Sequence, residues 1–243
     1  MSHYMEQRSD WFTRHFRYER KLFVRDLSRR EIEALINLHP AVFSAIYYER
    51  RVNNIYLDSF DMKSYFDNMS GAEKRVKVRV RWYGETLGAA ERPVLELKIK
   101  EGPMCIKASF QLMGFRMDND FSIDVLRDIF KASDMPGALK LDLAGLDFSL
   151  LNSYKRKYYL SADKKFRLTL DSELGFYGIT HFRNSFLDRS VDHLNNIVEI
   201  KYAKEHNDDA HRVTGFFPFR VTKSSKYTIG LERLNMTKAY SHA

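Results

Sequence analysis

The chain has 243 residues, with 40 lysines and arginines against 32 aspartates and glutamates, a net charge of +8 and a pI near 9.4. That balance favours anionic partners, whether nucleic acid, an anionic membrane surface or phosphate-rich small molecules. The single cysteine, Cys105, excludes an internal disulfide and points to a reducing compartment.

No apolar run approaches the roughly 20 residues that span a bilayer. The opening MSHYMEQRSDWF also lacks the apolar stretch of a signal peptide, so a cytoplasmic location is expected. No Pro/Ser-rich stretch or charge run interrupts the sequence, which predicts one domain over residues 1–243.

The first predicted strand, RYERKLFV, puts Arg17, Glu19 and Lys21 on one face. Ser28-Arg29-Arg30-Glu31 has capping-box spacing and opens a helix with Ile32, Leu35 and Ile36 on one side, closed by His39-Pro40. VNNIYLDS, residues 52–59, predicts a strand, and a short polar helix or turn follows around Met62 to Gly71. KRVKVRVRWYG then carries Lys77, Arg79 and Arg81 at every second position, with Val76, Val78 and Val80 between them. Three cations point one way and the valines the other. After a turn region from Gly84 to Pro93, VLELKIK alternates Glu96, Lys98 and Lys100 with Leu95, Leu97 and Ile99. Gly102-Pro103 turns the chain into MCIKASF, which brings up Lys107.

In FSIDVLRDIFK, Phe121, Val125, Ile129 and Phe130 recur at near-helical spacing and predict a packing helix over 121–131. The stretch from Asp134 to Leu150 is weakly patterned. Tyr154 to Leu160 and Lys165 to Asp171 predict a hairpin around Ser161-Ala162-Asp163, with Lys165, Arg167 and Asp171 on one face of its second strand. An irregular excursion containing Gly175, Gly178 and His181 precedes VEIKY, where Glu199 and Lys201 oppose Val198 and Ile200. Lys204 to Thr214 is polar, loop-like or helical, and its His206 and His211 beside Asp208 and Asp209 lack metal-ligand spacing. In VTKSSKYTIG, Lys223 and Lys226 would point the same way on a helical turn. Beside Ser224 and Ser225 they could hold phosphate; an ordinary basic surface turn is the equal alternative from these residues alone.

Each alternating strand, taken singly, fits an antiparallel sheet with one solvated face. Cations mixed with carboxylates recur, however, on one face of strands far apart in sequence. Closing such strands into a barrel would gather the charges into an inward lining, with the apolar outer faces covered. The expected fold is α+β, an antiparallel β-barrel with flanking helices packed outside. No glycine loop ending in GK, no HExxH, no paired CxxC and no G-x-S-x-G occurs, so side chains would have to hold any phosphate.

RYERKLFV, NNIYLDS, KVRVRWYG, LELKIK, the IK of MCIKASF, YKRKYY, RLTLDSEL, VEIKY and KSSKYTIG together resemble the VTC domain, the catalytic module of the vacuolar transporter chaperone complex. That domain belongs to the triphosphate tunnel metalloenzyme, or CYTH-like, superfamily. The similarity runs from about Arg17 to Gly230, and R-x-R-W-Y-G is its most specific motif, followed in order by E-x-K and K-x-x-K.

The resemblance implies an eight-stranded antiparallel tunnel that binds a triphosphate and a divalent metal, Mn²⁺ or Mg²⁺. It also implies polyphosphate polymerase activity, the γ-phosphate of ATP passing to a growing inorganic polyphosphate chain. Carried over by position, Lys21, Arg79, Arg81, Lys98, Lys107, Arg156, Lys223 and Lys226 would be phosphate ligands. Glu199, together with Glu19 and Glu96, would hold the metal, and strand parity adds Arg167 and Lys201 to the lining.

Two departures bear on the chemistry. Tunnel hydrolases commonly begin E-x-E-x-K, whereas this chain reads Arg17-x-Glu19-x-Lys21 and loses a carboxylate; Ser109 stands where the family often has an Arg. Fewer acids give poorer support for a second, water-activating metal, which favours transfer to phosphate over hydrolysis. The competing expectations are a tripolyphosphate or nucleoside triphosphate hydrolase on the same scaffold and a non-catalytic polyphosphate or inositol-phosphate binding module. Single-stranded nucleic acid could stack on Trp82 and Tyr83. It is disfavoured because both follow the ladder directly, where strand-end packing is expected, and because glutamates on the same face repel a nucleic-acid backbone. A separate membrane protein could receive the product, as the multi-subunit complex implies.

Overall fold

The structure, a computed structural model, describes residues 13–14, 17–101, 104–182, 184–222 and 225–235. In chain order its first half comprises β1 (Thr13–Arg14), β2 (Arg17–Val24), α1 (Arg29–Asn37), β3 (Ser44–Asp58), α2 (Lys63–Met69), β4 (Lys74–Tyr83), β5 (Gly88–Ala90), β6 (Val94–Glu101), β7 (Met104–Gln111) and β8 (Phe115–Met117). There follow α3 (Ile123–Ala132), α4 (Gly137–Ala144), β9 (Asp147–Leu160), β10 (Arg167–Tyr177), β11 (Arg189–Asp192), β12 (Asn196–Ala203), α5 (Asn207–Gly215) after a 3₁₀ turn, and α6 (Lys226–Arg233).

The fold is α+β. One large sheet runs in the order β1-β7-β6-β4-β3-β9-β10-β12-β2, with β11 added on β10, and every ladder is antiparallel. β5 and β8 form a separate ribbon.

The expected eight-stranded closed barrel is not what forms, since among the described residues no ladder joins the two ends of the sheet. The reason lies in β2, which gives one edge to β12 along eight register pairs. Its other edge is met by an isolated bridge from Leu22 to Val221 and by Thr222 N–H, which donates to the Lys21 carbonyl at 2.7 Å. On the edge of β7 away from β6, among the described residues, only the two of β1 pair. The sheet nevertheless curls strongly, because Lys98 on β6 meets Glu19 on β2 at 3.2 Å although five strands, β4, β3, β9, β10 and β12, lie between them in the sheet.

Alternation decides which face is concave. Val78 and Val80 are buried on the convex side with Leu95, Leu97 and Ala108, beneath α3 and α4. Leu22, Leu168, Leu170, Val198 and Ile200 lie beneath α1 and α5 in a second convex layer. The predicted capping box forms at α1, where Ser28 Oγ accepts from Glu31 N and Glu31 Oε2 accepts from Ser28 N.

Several expectations need correcting. In α3 it is Leu126 that is buried with Ile129 and Phe130, while Val125 points outward, because the helix starts at Ile123 rather than at Phe121. The weakly patterned stretch contains α4, a helix of only eight residues that buries Leu139 and Leu143 and leaves Leu141 exposed. Gly175 lies within β10 and not in an irregular excursion: a bulge between Ser172 and Gly175, with Glu173 at φ 51°, lets the strand continue to Tyr177.

The helices are also not all outside. Tyr227 and Leu231 of α6 pack on Val52, Tyr56, Leu150 and Tyr154, whose register places them on the same face as Arg79 and Arg81. α6 therefore fills one end of the concavity. Its seat is close, since a Cβ on Gly230 would come within 2.5 Å of Leu150 and 2.6 Å of Phe176. Tyr227 Oη donates to Asp58 Oδ2 at 2.6 Å, and Asp58 also accepts from the backbone amides of Ser64 and Tyr65 at the start of α2.

Candidate functional site

The concave face collects the charged rungs of seven strands, β2, β4, β6, β7, β9, β10 and β12, around four carboxylates. Glu96 on β6 stands opposite Arg79 of β4 in the ladder. It accepts from Arg79 Nε at 2.8 Å and Nη2 at 2.6 Å, from Lys107 Nζ on β7 at 2.6 Å, and lies 3.4 Å from Arg81 Nη1. Burial opposes its charge, but the three cations prevail and hold the carboxyl well below the usual range. Arg81 Nε in turn donates to Asn54 Oδ1 at 2.9 Å, and Asn54 donates to Asn152 Oδ1 at 2.8 Å.

Asp171 on β10, wholly buried, holds a second set. Arg156 of β9 grips it with two bonds of 2.5 and 2.7 Å, and Lys226, the first residue of α6, lies 2.5 Å from its Oδ2. Burial alone would neutralise this acid; Arg156 and Lys226 instead hold it below its ordinary value. Between these sets lies the third, where Glu199 of β12 pairs with Lys201 at 3.0 Å and lies 3.7 Å from Arg156, while Glu19 of β2 pairs with Lys21 at 2.8 Å and Lys98 at 3.2 Å. Glu199 is held well below the carboxylate range against its burial, by Lys201, Lys21 and Arg156, and Glu19 lies within hydrogen-bonding reach of it. Burial pulls Lys21 down, but Glu19 and Glu199 more than offset this and raise it.

Lys77 on β4 is the exception to this neutralisation. Its Nζ donates to Ser225 Oγ at 2.8 Å, just ahead of α6. Burial, followed by the positive charges of Lys21, Lys98, Arg75 and Arg79, lowers it to about 7.

The structure thus brings together Lys21, Arg79, Arg81, Lys98, Lys107, Arg156, Lys201, Lys226, Glu19, Glu96 and Glu199. Arg167 stands level with Lys201 in the ladder but exposed at the start of β10, and Lys223 lies outside the described residues. Asp171 is a member that strand parity showed without revealing its role, because its partners come from β9 and α6. Cations outnumber carboxylates on this face, which leaves it net positive and suited to an anion. Two concave-face atoms, Asn152 Nδ2 and Thr169 Oγ1, are buried without a hydrogen-bond partner, as expected of a site shaped for a ligand.

For a divalent metal the four carboxylates are not equivalent. Glu96 is taken up by its three cations, which points to a role in fixing Arg79, Arg81 and Lys107. Glu19 and Glu199 are adjacent, and the unpartnered Thr169 Oγ1 belongs to the residue opposite Glu199 in the ladder. This all-oxygen set fits Mg²⁺ or Mn²⁺, which is commonly held by one or two carboxylates with substrate phosphates and water completing the shell. Among the described residues no group of three or more His, Cys, Asp and Glu gathers as a self-sufficient metal cage.

The sequence profile of the VTC domain matches residues 16–235. No curated protein matches the chain. Among solved structures, a protein of Pyrococcus horikoshii is similar at 13% identity and a TM-score of 0.48, over 89% of this chain and 99% of that one. A protein of Vibrio parahaemolyticus described as a candidate adenylate cyclase is similar at 11% identity and 0.46, over 95% and 90%. A candidate adenylyl cyclase from Hippeastrum, described as having a dominant triphosphatase activity, is similar at 14% identity and 0.47, over 89% and 96%.

Proposed function

The chain belongs to the VTC domain family, and on that premise we propose that it is a polyphosphate polymerase, passing the γ-phosphate of ATP to a growing inorganic polyphosphate chain held along the concave face. The observation that carries this reading is the pairing pattern: Arg79, Arg81, Lys107, Arg156 and Lys226 are all preset on carboxylates, in positions a phosphate chain could occupy.

Phosphoryl transfer asks the protein mainly to align donor and acceptor and to neutralise charge on the phosphate oxygens. Arg79, Arg81 and Arg156 offer forked contacts to those oxygens, while Lys21, Lys98, Lys107 and Lys226 supply point charges that can follow a sliding chain. Glu96 and Asp171 keep the arginines in place before substrate arrives, so little reorganisation accompanies the reaction. Glu19 and Glu199 would hold Mg²⁺ or Mn²⁺, which when bound supplies charge to bridge phosphates and lowers the repulsion against an anionic acceptor. A single pair of adjacent carboxylates supports one metal better than two, which favours a phosphate acceptor over activated water.

A separate membrane protein as receiver of the product belongs to the same proposal. Among the described residues no helix is long and apolar enough to cross a membrane.

The test is to incubate the purified protein with ATP and Mn²⁺ and to follow products by phosphorus NMR, with Glu199→Gln alongside. Internal polyphosphate signals appearing with ADP, and lost in the variant, are the expected result. Orthophosphate as the sole product would move the assignment to a hydrolase, and unchanged ATP would move it to a binding module.

A further inference from the structure

Beyond the phosphate-binding rungs, β9 carries a column in which rings and cations alternate. Lys226 Nζ lies 4.7 Å from the Tyr154 ring centre, the Arg156 guanidinium 5.2 Å from Tyr154 and 5.9 Å from Tyr158, and the Arg50 guanidinium 4.9 Å from Tyr158. The column ends, away from α6, in a cluster: Arg50 is also 5.1 Å from the Tyr47 ring and 4.9 Å from the Tyr83 ring, and Tyr47 meets Tyr158 edge-on at 5.7 Å.

Three features of this cluster need an explanation. Arg50 Nε is buried without a hydrogen-bond partner, a cost that a surface arginine would avoid by turning into water. Tyr83 and Tyr47 remain 46% and 59% exposed, so their rings are not spent on packing. Tyr83, expected to pack at the strand end as Trp82 does, instead stands at the edge of the concave face, with Trp82 buried behind it and bonded to the Glu85 carbonyl.

The position is specific. Tyr83 lies two residues beyond Arg81 on the same face of β4, and Tyr158 two residues beyond Arg156 on β9, so each ring sits roughly 7 Å further along than the cation before it. β4 and β9 run in the same direction, both being antiparallel to β3, so the two rings lie toward one end. That offset is about the reach of a ribose between phosphate and base.

We propose that Tyr47, Arg50, Tyr83 and Tyr158 form a platform on which the base of a nucleoside triphosphate stacks while its phosphates lie among Arg79, Arg81 and Arg156. This rests on the phosphate-binding reading above. Arg50 holds the rings in place and polarises them, and the exposed face of Tyr83 receives the base. Stacking reads the presence of a base and little of its identity, because every base has a π-face. The platform therefore distinguishes a nucleotide donor from the inorganic chain, which has none.

Calorimetric titration of the full chain with ATP and with inorganic tripolyphosphate, each with Mg²⁺, tests this directly. Tyr83→Ala should weaken ATP about tenfold, within the span that one stacked base contributes, and leave tripolyphosphate unchanged, while Tyr83→Phe should leave both as they were. Tyr47→Ala should show the same selective loss to a smaller extent, and melting curves confirm that each variant is folded. Loss of ATP and tripolyphosphate affinity in equal measure, or no loss of either in both alanine variants, would overturn the platform alone. Failure of the unmodified protein to bind tripolyphosphate would overturn the phosphate-binding reading and the platform with it.

Discussion

Lys77 shows how far a residue's chemistry depends on its neighbours from other strands. Alternation along KRVKVRVRWYG is enough to aim it at the concave face, but its depressed value comes from burial and from Lys21, Lys98, Arg75 and Arg79, two of which arrive from β2 and β6. Nothing in a single strand's sequence reveals that crowding. The folded group titrates near 7 against an ordinary 10.5, so at pH 8 it is mostly neutral and at pH 6 mostly charged. From about pH 7 up to the ordinary 10.5 the unfolded chain binds a proton that the folded one does not, so folding stability gains as pH rises through this window and is unaffected by this group well below 7. Anion binding goes the other way, because an added phosphate favours the charged amine. Tripolyphosphate affinity should therefore rise from pH 8 to pH 6 more steeply in the unmodified protein than in Lys77→Met, by about three- to tenfold, the upper figure matching one pKa unit. Calorimetry at both pH values with both proteins measures this difference and cancels the ligand's own titration. Parallel slopes would show that Lys77 does not titrate in this range.

At the scale of elements, alternation is what the sequence makes legible. The faces of β2, β4, β6, β10 and β12 follow from spacing alone, since a period of two fixes which side chains share a side. Helices were legible where a cap or a long apolar stripe marks them, as at Ser28 and across α3. They were not legible in α4, whose eight residues offer two buried leucines and one exposed. The siting of α6 was likewise hidden: Tyr227 and Leu231 announce an apolar face, but only the tertiary arrangement shows that this face lies on Tyr56, Leu150 and Tyr154 inside the concavity. Gly230 makes that approach possible. Gly230→Ala would force a methyl group against Leu150 and Phe176 and should lower stability by about 1–3 kcal/mol, read from urea unfolding. Since Lys226 is on the same helix, tripolyphosphate binding should weaken as well. Gly215→Ala, where a Cβ meets nothing within 4 Å, should be neutral or mildly stabilising in the same assay.

For the whole molecule, a strongly curled sheet turns residues far apart in sequence into one charged concavity. Parity predicted the lining, and the sheet's order supplies the reason it converges: β4, β6 and β7 bring the Glu96 set, β9, β10 and α6 bring the Asp171 set, and β12 with β2 brings the Glu19 and Glu199 pair. Closure into a barrel was the step that did not follow, because the edge of β2 away from β12 is met by Val221 and Thr222. The central claim is that the preset arginines of this face exist to receive phosphate. Titration of inorganic tripolyphosphate into the unmodified protein and into Arg79→Ala/Arg81→Ala, at two salt concentrations, tests it most directly. The expected result is saturable binding that weakens as salt rises and falls by about 100-fold or more in the double variant, the equivalent of at least two charge-assisted hydrogen bonds. Equal binding by the two proteins would contradict it.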